Sequence, residues 1–203
     1  MMKVAVSQRV DVHPNRDERR DALDQRMVQW LCHAGCMSVP VPNGLVSVGH
    51  DAGCARLVEW LDAIEPEAIL LSGGNDLGEA AERDVTERFL LDFARERHLP
   101  VLGICRGMQM MGVWGGAGIS PISGHVRIRH LLCGAVDGEA NSFHTMALRE
   151  CPQGFSVLAR SEDGVIEAMR HDELPWEGWM WHPERELNFS ARDIARVRTL
   201  FGL

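Results

Sequence analysis

The sequence lacks an apolar stretch long enough to cross a membrane. A spanning helix needs ~18 or more consecutive apolar residues, and no run in the 203-residue chain approaches that length. The first ten residues lead directly into a predicted strand and do not have the pattern of a secretory signal. We therefore expect a protein that does not associate with membranes.

The six cysteines also lack a recognisable framework. Their spacing is neither that of a disulfide-rich scaffold nor that of a zinc ribbon. Free thiols are typical of a reducing compartment. We therefore predict a cytoplasmic protein and no metal site.

Positive charge is scarce relative to negative charge. The chain has 21 Lys and Arg against 29 Asp and Glu, a net charge of −8. This balance argues against a broad nucleic-acid-binding surface, although it leaves room for a local basic pocket that binds an anionic small molecule. The sequence shows no internal repeat or linker, and 45% of its residues are hydrophobic. A single domain over residues 1–203 is the simplest expectation.

The first half of the chain alternates short apolar runs with segments of helical periodicity. This order predicts a parallel sheet covered by helices on both faces. The second half contains strand-like segments without intervening helices, which predicts antiparallel additions. The predicted strands are 3–8, 37–41, 68–71, 101–104, 125–130, 155–160, 164–170 and 178–181. The predicted helices are 17–34, 55–64, 79–97, 108–114 and a last one that begins after Ser190.

Cys105 stands where the fourth strand should meet a helix. Gly103 and Gly107 flank it at two residues on either side, and small residues allow the backbone to bend sharply. This is the arrangement of a nucleophile elbow, in which the reactive side chain stands clear of the sheet. The start of a helix also lowers the pKa of a thiol, because its partial positive charge favours the thiolate. The pattern predicts that Cys105 is a nucleophile.

The segment 102–109, LGICRGMQ, resembles the elbow of class I glutamine amidotransferases and the related gamma-glutamyl hydrolases. Two later segments agree with this resemblance, NSFH at 141–144 and WHPE at 181–184, and they follow in the order that the family uses. The resemblance covers nearly the whole chain. It implies a flavodoxin-like three-layer α/β/α sandwich with a mostly parallel sheet.

An unactivated amide needs a nucleophile, a base that returns the proton, and donors for the oxyanion. His182 follows a predicted apolar strand, and Glu184 stands two residues later, where it could orient the imidazole. The resemblance assigns Cys105, His182 and Glu184 to a catalytic triad. It places the oxyanion donors at the backbone N–H groups of Gly74 and Arg106.

The resemblance also implies which residues hold the glutamyl end of the substrate. The matching positions are Gln109, Asn141, Ser142 and Phe143. Asn75, beside the glycine-rich loop, and His144 are further candidates for the same pocket. His144 could equally be a structural residue.

Within the family, two groups resemble the chain further. Arg106 after the nucleophile and the segment 82–87 are similar to gamma-glutamyl-gamma-aminobutyrate hydrolases. Four segments are similar to the short gamma-glutamyl-CDP-amidate hydrolases of capsule phosphoramidate synthesis: 71–77, 141–144, 166–168 and 180–186. A strand over 125–130 would place His125, Arg127 and Arg129 on one face, where they could meet a diphosphate or simply form a solvated edge. We count Arg127 and Arg129 as candidate substrate-binding residues.

The sequence therefore predicts an enzyme that hydrolyses a gamma-glutamyl amide and releases glutamate, from a substrate such as gamma-glutamyl-CDP-amidate. Three alternatives remain open: a hydrolase of the gamma-glutamyl-gamma-aminobutyrate type, a glutaminase subunit that supplies ammonia to a separate synthetase, and an inactive member of the fold that binds a partner or metabolite. We expect no cofactor, because thiol, imidazole and carboxylate suffice. We expect a small-molecule substrate, and a partner protein only for the subunit.

Overall fold

A mixed sheet of nine strands forms the centre of the computed structural model, which describes residues 1–49 and 54–203. The strands of the described chain are β1 (Met2–Val6), β2 (Arg9–His13), β3 (Glu18–Ala22), β4 (Cys36–Pro40), β5 (Ala68–Leu71), β6 (Val101–Ile104), β7 (Ile119–Pro121), β8 (Val126–Gly134), β9 (Gly138–Phe143), β10 (Met146–Leu148), β11 (Phe155–Ser161), β12 (Ile166–His171) and β13 (Trp176–Trp179). The helices are α1 (Gln25–His33), α2 (Ala55–Ile64), α3 (Ala81–Arg97), α4 (Arg106–Trp114) and α5 (Ala191–Phe201).

The sheet has a parallel half and an antiparallel half. Its strand order is β4-β1-β5-β6-β13-β12-β11-β8-β9. The first five strands pair in parallel, and the last four pair antiparallel to their neighbours. The predicted mostly parallel sheet with antiparallel additions is confirmed. Strand β13 returns from late in the chain to lie beside β6, so the segments that carry His182 and Cys105 are neighbours.

Helices cover the two faces of the parallel half. In β13 a side chain at Gly178 would meet Met108 of α4, whereas the next residue, Trp179, packs edge-on against Trp30 of α1 with ring centroids 6.4 Å apart. Because neighbouring residues of a strand point to opposite faces, α4 and α1 lie on opposite sides of the sheet. Helix α3 packs on α4. Arg198 of α5 donates to the carbonyl oxygen of Ala34 after α1. The result is the predicted three-layer sandwich, of the flavodoxin-like type.

The predicted first helix is wrong over its first turns. Residues Glu18–Ala22 form β3, which pairs with β2 in a separate antiparallel hairpin, and α1 begins only at Gln25. The Asp24 side chain caps this helix by accepting from the backbone N–H of Arg26. Leu23 lies at the helical spacing of the buried residues of α1. This spacing extended the predicted helix towards the N-terminus.

The last helix begins as predicted. Ser190 is its N-cap, and its hydroxyl accepts a hydrogen bond from the backbone N–H of Asp193 at 3.4 Å. None of the described helices is both long and apolar enough to span a bilayer.

Candidate active site

Cys105 occupies a strained turn between β6 and α4. Its backbone has φ 51° and ψ −104°, a region that non-glycine residues rarely adopt and that costs about 1–3 kcal/mol. The Cys105 N–H donates to the carbonyl oxygen of Trp179 at 2.6 Å, which ties the turn to β13. The geometry is that of the predicted elbow.

The two flanking glycines are needed for this turn. A Cβ at Gly103 would lie 2.6 Å from the sulfur of Met111 and 2.7 Å from the backbone of Gly107. A Cβ at Gly107 would lie 2.1 Å from the carbonyl oxygen of Leu71. Both distances are shorter than real contacts, so any larger residue would push α4 away from the sheet. The glycine spacing in the sequence therefore reflects close packing as well as backbone freedom.

His182 and Glu184 form a buried pair at the end of the segment that follows β13. The His182 Nδ1 and a Glu184 carboxylate oxygen lie 2.6 Å apart. Burial alone would lower the pKa of His182, but the Glu184 carboxylate and the Cys105 side chain raise it to about 9. Phe143 packs edge-on against the imidazole, with ring centroids 5.8 Å apart. The imidazole is thus held in one orientation and favoured in its charged form.

Cys105 and His182 line the same cavity. It has a volume of about 270 Å³, and its wall also includes Gly74, Gln109 and Phe143. A second cavity of about 290 Å³ reaches His182 from the side of the β2–β3 hairpin. The imidazole can therefore be approached from two sides, and of these two cavities only the first also contains the thiol.

The loop after β5 brings Gly73 against the imidazole and Gly74 into the wall of the cavity. A Cβ at Gly73 would lie 2.6 Å from His182 Cε1, so a side chain there would displace the base. Arg83 donates hydrogen bonds to the carbonyl oxygens of Ser72, Gly73 and Gly74. In a trans peptide the N–H points opposite to the C=O, so the N–H of Gly74 points away from Arg83. This leaves that N–H available as an oxyanion donor.

A buried group of charges, which we call the arginine network, connects this loop to the elbow. Its members are Arg83, Asp84, Glu87 and Arg106. Both guanidinium groups bind Glu87, which also accepts from the Ser7 hydroxyl at 2.8 Å. Burial raises the pKa of Glu87, but the two arginines lower it by more, so the net shift is downward. The Arg106 side chain is engaged in this network, which leaves its backbone N–H as the group near the cavity.

Asn141, a predicted substrate-binding residue, lies in the wall of a depression beside the cysteine cavity, and its amide is engaged by the protein itself. Its Oδ1 accepts from the backbone N–H of His182 at 2.9 Å, and its Nδ2 donates to the His182 carbonyl oxygen and to Glu186, both at 2.8 Å. Every polar atom of this buried amide is therefore used within the protein. Asn141 clamps the backbone that presents the imidazole.

The other predicted substrate residues divide into two groups. Asn75, Gln109, Phe143 and His144 line the cavity that contains Cys105. Ser142 is fully buried, and its hydroxyl donates to the carbonyl oxygen of His125, so it faces the interior.

Arg127 and Arg129 lie on a neighbouring depression of about 390 Å³, which shares Phe143 and Arg185 with the cysteine cavity. The predicted three-cation face is wrong. His125 is buried before β8 begins, and a bulge with φ 56° at Arg127 interrupts the alternation of the strand. Arg129 is paired with Glu186 at 2.9 Å.

Comparison with known proteins identifies the family of this arrangement. The family model described as "Glutamine amidotransferase class-I" matches residues 23–197. The gamma-glutamyl-CDP-amidate hydrolase of Campylobacter jejuni is 34% identical over 126 residues, which is 59% of this chain and 63% of that protein. This chain thus matches less than two thirds of that relative's length. The glutamine-hydrolysing GMP synthase subunit of Thermococcus kodakarensis is 30% identical over 151 residues, which is 68% of this chain and 77% of that one.

Two solved structures share the fold. A Thermoplasma acidophilum protein described as a GMP synthase subunit superimposes with a TM-score of 0.76 at 19% identity, covering 100% of this chain and 94% of that one. A glutamine amidotransferase from Thermotoga maritima gives a TM-score of 0.63 at 15% identity, covering 99% and 82%. At these identities the likeness establishes the architecture alone.

Proposed function

The chain belongs to the class I glutamine amidotransferase family, and from that premise we propose that it is a hydrolase that uses Cys105 to cleave a gamma-glutamyl amide and release glutamate. The observation that carries the proposal is the shared cavity, in which a thiol on a strained elbow faces an imidazole paired with a carboxylate.

The first half of the reaction forms a thioester. The Cys105 sulfur attacks the glutamyl carbonyl carbon, and the oxyanion of the tetrahedral intermediate binds the N–H groups of Gly74 and Arg106. The His182 imidazolium gives its proton to the departing nitrogen when the C–N bond breaks. Glu184 stabilises the imidazolium and holds its ring in place, in the manner of a triad carboxylate.

The second half consumes water. His182, now neutral, takes a proton from a water molecule that attacks the thioester carbon. The oxyanion again occupies the donors at Gly74 and Arg106, and the C–S bond breaks to give glutamate. The sulfur leaves as a thiolate while His182 keeps the proton that it took from water, so the initial thiolate and imidazolium are restored with one amide and one water consumed.

The substrate we propose is a gamma-glutamyl amide whose amine side carries a nucleotide diphosphate, as in gamma-glutamyl-CDP-amidate. The relative from Campylobacter jejuni supports this choice. So does the depression beside the cavity, because Arg127 is exposed there and Arg185 stacks over Phe143 at the boundary of the two, 4.8 Å from the ring centroid. A long leaving group could extend from Cys105 across this boundary to the arginines.

The test is a substrate panel. Glutamine, a small gamma-glutamyl amine and gamma-glutamyl-CDP-amidate are each assayed for glutamate release by the purified chain. We expect the nucleotide-linked amide to give the highest kcat/KM. Cys105→Ser should lower turnover of all three by at least about 1000-fold, since it removes the nucleophile. Cys133→Ser, at an exposed free cysteine, is the matched control. Retained activity in Cys105→Ser would refute the mechanism.

Arg127→Ala tests the leaving-group site separately. We expect it to lower kcat/KM for the nucleotide-linked substrate by about 10-fold or more and to spare the small amide, because only the former reaches the depression. Arg88→Ala, at an exposed position of α3, is the control for loss of one positive charge. Equal losses on both substrates would refute the assignment of the depression to the leaving group.

A second function has a specific observation in its favour. Several relatives are glutamine-hydrolysing GMP synthase subunits, and their names mark them as components of a larger synthase. Under this alternative the chain would release ammonia from glutamine for a partner. The panel separates the two functions, because a glutaminase subunit would turn over glutamine slowly until its partner was added, and would not prefer the nucleotide-linked amide.

A further inference from the structure

Four buried side chains from the antiparallel half converge on one point. They are His125 before β8, His130 within it, whose side chain is 8% exposed, His144 after β9 and Glu167 in β12, and we call them the histidine cluster. His125 Nδ1 lies 3.3 Å from a Glu167 oxygen, and His130 Nε2 and His144 Nε2 each lie 3.5 Å from one. One donor atom each from His125, His130 and Glu167 lie within 4.8 Å of one another. The arrangement puts three imidazoles around a single carboxylate.

Two of the histidines make a hydrogen bond through the ring nitrogen that points away from Glu167. This leaves their other ring nitrogen, which faces Glu167, without a hydrogen bond. His144 Nδ1 lies 3.1 Å from the carbonyl oxygen of Met146, to which it can only donate. His125 Nε2 lies 2.9 Å from the Asp163 carboxylate, which also accepts from the Ser161 hydroxyl. A neutral imidazole that donates from one nitrogen presents a lone pair at the other. The lone pairs of His125 and His144 therefore point to the centre of the cluster.

The centre of the cluster has no hydrogen bonds within residues 1–49 and 54–203. The facing nitrogens of the three histidines and both oxygens of Glu167 are buried without a partner among those residues. Burying a carboxylate with neither oxygen bonded is costly, and groups that lack partners in a folded protein call for an explanation. A cation at the centre would give these atoms a partner.

We propose that the histidine cluster binds a divalent transition-metal ion, most simply Zn²⁺. Imidazole and carboxylate are ligands that Zn²⁺ takes at about 2.0–2.2 Å, and in a tetrahedron such bonds place the donor atoms about 3.3–3.5 Å apart. The distances from His125 and His144 to one Glu167 oxygen are 3.3 and 3.5 Å, and His130 lies 3.5 Å from the other oxygen, so each histidine is at that spacing from the carboxylate. The hydrogen bonds to Met146 and Asp163 are the outer partners that orient metal-bound histidines.

The ion would have a structural task. The side chains of the cluster are at most 8% exposed, so an ion at its centre would be out of reach of the substrate. The ligands whose donor atoms lie together, His125, His130 and Glu167, come from around β8 and from β12, and an ion would tie these strands together. His144, after β9, lies beside the same carboxylate. His144 follows Phe143 in the wall of the cysteine cavity, and the Met146 carbonyl oxygen that accepts from His144 also accepts from Gln109 at 2.9 Å. The ion would thus stiffen one wall of the active site while the thiol chemistry stays independent of it.

The experiment measures metal in the untagged chain and its effect on stability. We expect about one zinc per chain by elemental mass spectrometry after growth in zinc-supplemented medium. Removal with a chelator should lower Tm by several degrees, and one equivalent of Zn²⁺ should restore it. Co²⁺ added to the chelated chain should give the intense visible absorption of a tetrahedral site.

Two variants and a control locate the ion. Glu167→Gln and His130→Gln should each bring the zinc content below about 0.1 per chain and abolish the Co²⁺ absorption, while His13→Gln on the β2–β3 hairpin should behave like the original chain. The chelation series needs no substitution, so a variant that fails to fold does not decide the result. A chain that holds no metal and whose Tm does not respond to Zn²⁺ would overturn the proposal, as would full zinc content in folded Glu167→Gln.

Discussion

The arginine network and the histidine cluster are both buried groups of charged side chains, one beside the parallel half of the sheet and one within the antiparallel half. In the arginine network every carboxylate oxygen of Glu87 is met by a guanidinium or a hydroxyl. In the histidine cluster both oxygens of Glu167 lack a hydrogen bond to any described residue. The first group compensates its own charges, and the second has the form of a site that an added cation completes.

The comparison also separates two ways of supporting a catalytic centre. Arg83 donates to the carbonyl oxygens of the glycine loop, and Arg106 carries the second proposed oxyanion donor on its own backbone. The arginine network would therefore support the proposed oxyanion site from the side away from the cavity. The histidine cluster acts on the opposite wall, through His144 and Met146. Breaking each group should have effects of different size and different dependence on metal.

The largest effect is expected from Glu87→Gln. This change leaves the guanidinium groups of Arg83 and Arg106 buried without their shared carboxylate, and breaking a buried ion pair from one side costs about 3–5 kcal/mol. Denaturant unfolding should show a loss of this size in the free energy of unfolding. Glu96→Gln, at an exposed site of the same helix, serves as the control. A loss below about 1 kcal/mol would show that Glu87 is not the centre of the network.

Glu167→Gln should depend on zinc where Glu87→Gln does not. With free Zn²⁺ at ~1000 times its Kd, the ion contributes about 4 kcal/mol to the original chain, and the variant forfeits this. In chelated protein the same change should cost much less than Glu87→Gln, because the carboxylate it removes has no hydrogen bonds to lose. Denaturant unfolding of the original chain and of Glu167→Gln, each measured with chelator and with Zn²⁺, gives the four free energies of unfolding that are compared. An equal loss in the free energy of unfolding with chelator and with Zn²⁺ would contradict the contrast between the arginine network and the histidine cluster.

His182 and Glu184 provide an intermediate case, a buried pair that titrates. The pKa of His182 is raised from 6.5 to about 9 in the folded chain. A group whose pKa is higher in the folded state stabilises it below the unfolded pKa and loses that contribution as pH rises through the folded pKa. Stability should therefore fall between about pH 6.5 and 9, on the order of 1–3 kcal/mol, and Glu184→Gln should flatten this fall. Parallel pH profiles of the two proteins would contradict the pairing.

The smallest effect is expected at the surface. Arg97 and Asp62 lie 2.7 Å apart with side chains 43% and 54% exposed. Exposed pairs contribute about 0–1 kcal/mol because water screens them. Asp62→Asn should change the free energy of unfolding by less than about 0.5 kcal/mol, and salt should remove even that. A loss comparable to that of Glu87→Gln would mean that burial is not what separates these pairs.

Sequence patterns predicted the parts of the molecule that depend on local order. The bounds of α2, β5 and β6 agree with the predicted ranges because each is a short apolar or periodic run between clear breaks. The elbow was recognisable because its glycines stand at fixed distances from Cys105. The β2–β3 hairpin was missed because its second strand is mostly charged and has no buried alternation.

The direction of side chains was not predictable in the same way. The motif 141–144 marked an important segment, but the contacts of Asn141 with the His182 backbone depend on how β9 meets a segment 41 residues away. The members of the histidine cluster are scattered along the sequence, with no spacing that suggests a metal site. For the arginine network a signal existed, because Arg83 and Glu87 share the side of α3 that carries the buried Leu90 and Ala94.

The position of β13 between β6 and β12 has a consequence for biosynthesis. The ribosome synthesises Cys105 well before His182. The position beside β6 in the sheet can be filled only after β13, the strand that leads to His182, has been made. Pairing between such distant segments forms late in folding. A nascent chain would therefore carry an inert cysteine, and the capacity for hydrolysis would arise in one step when the final strand inserts.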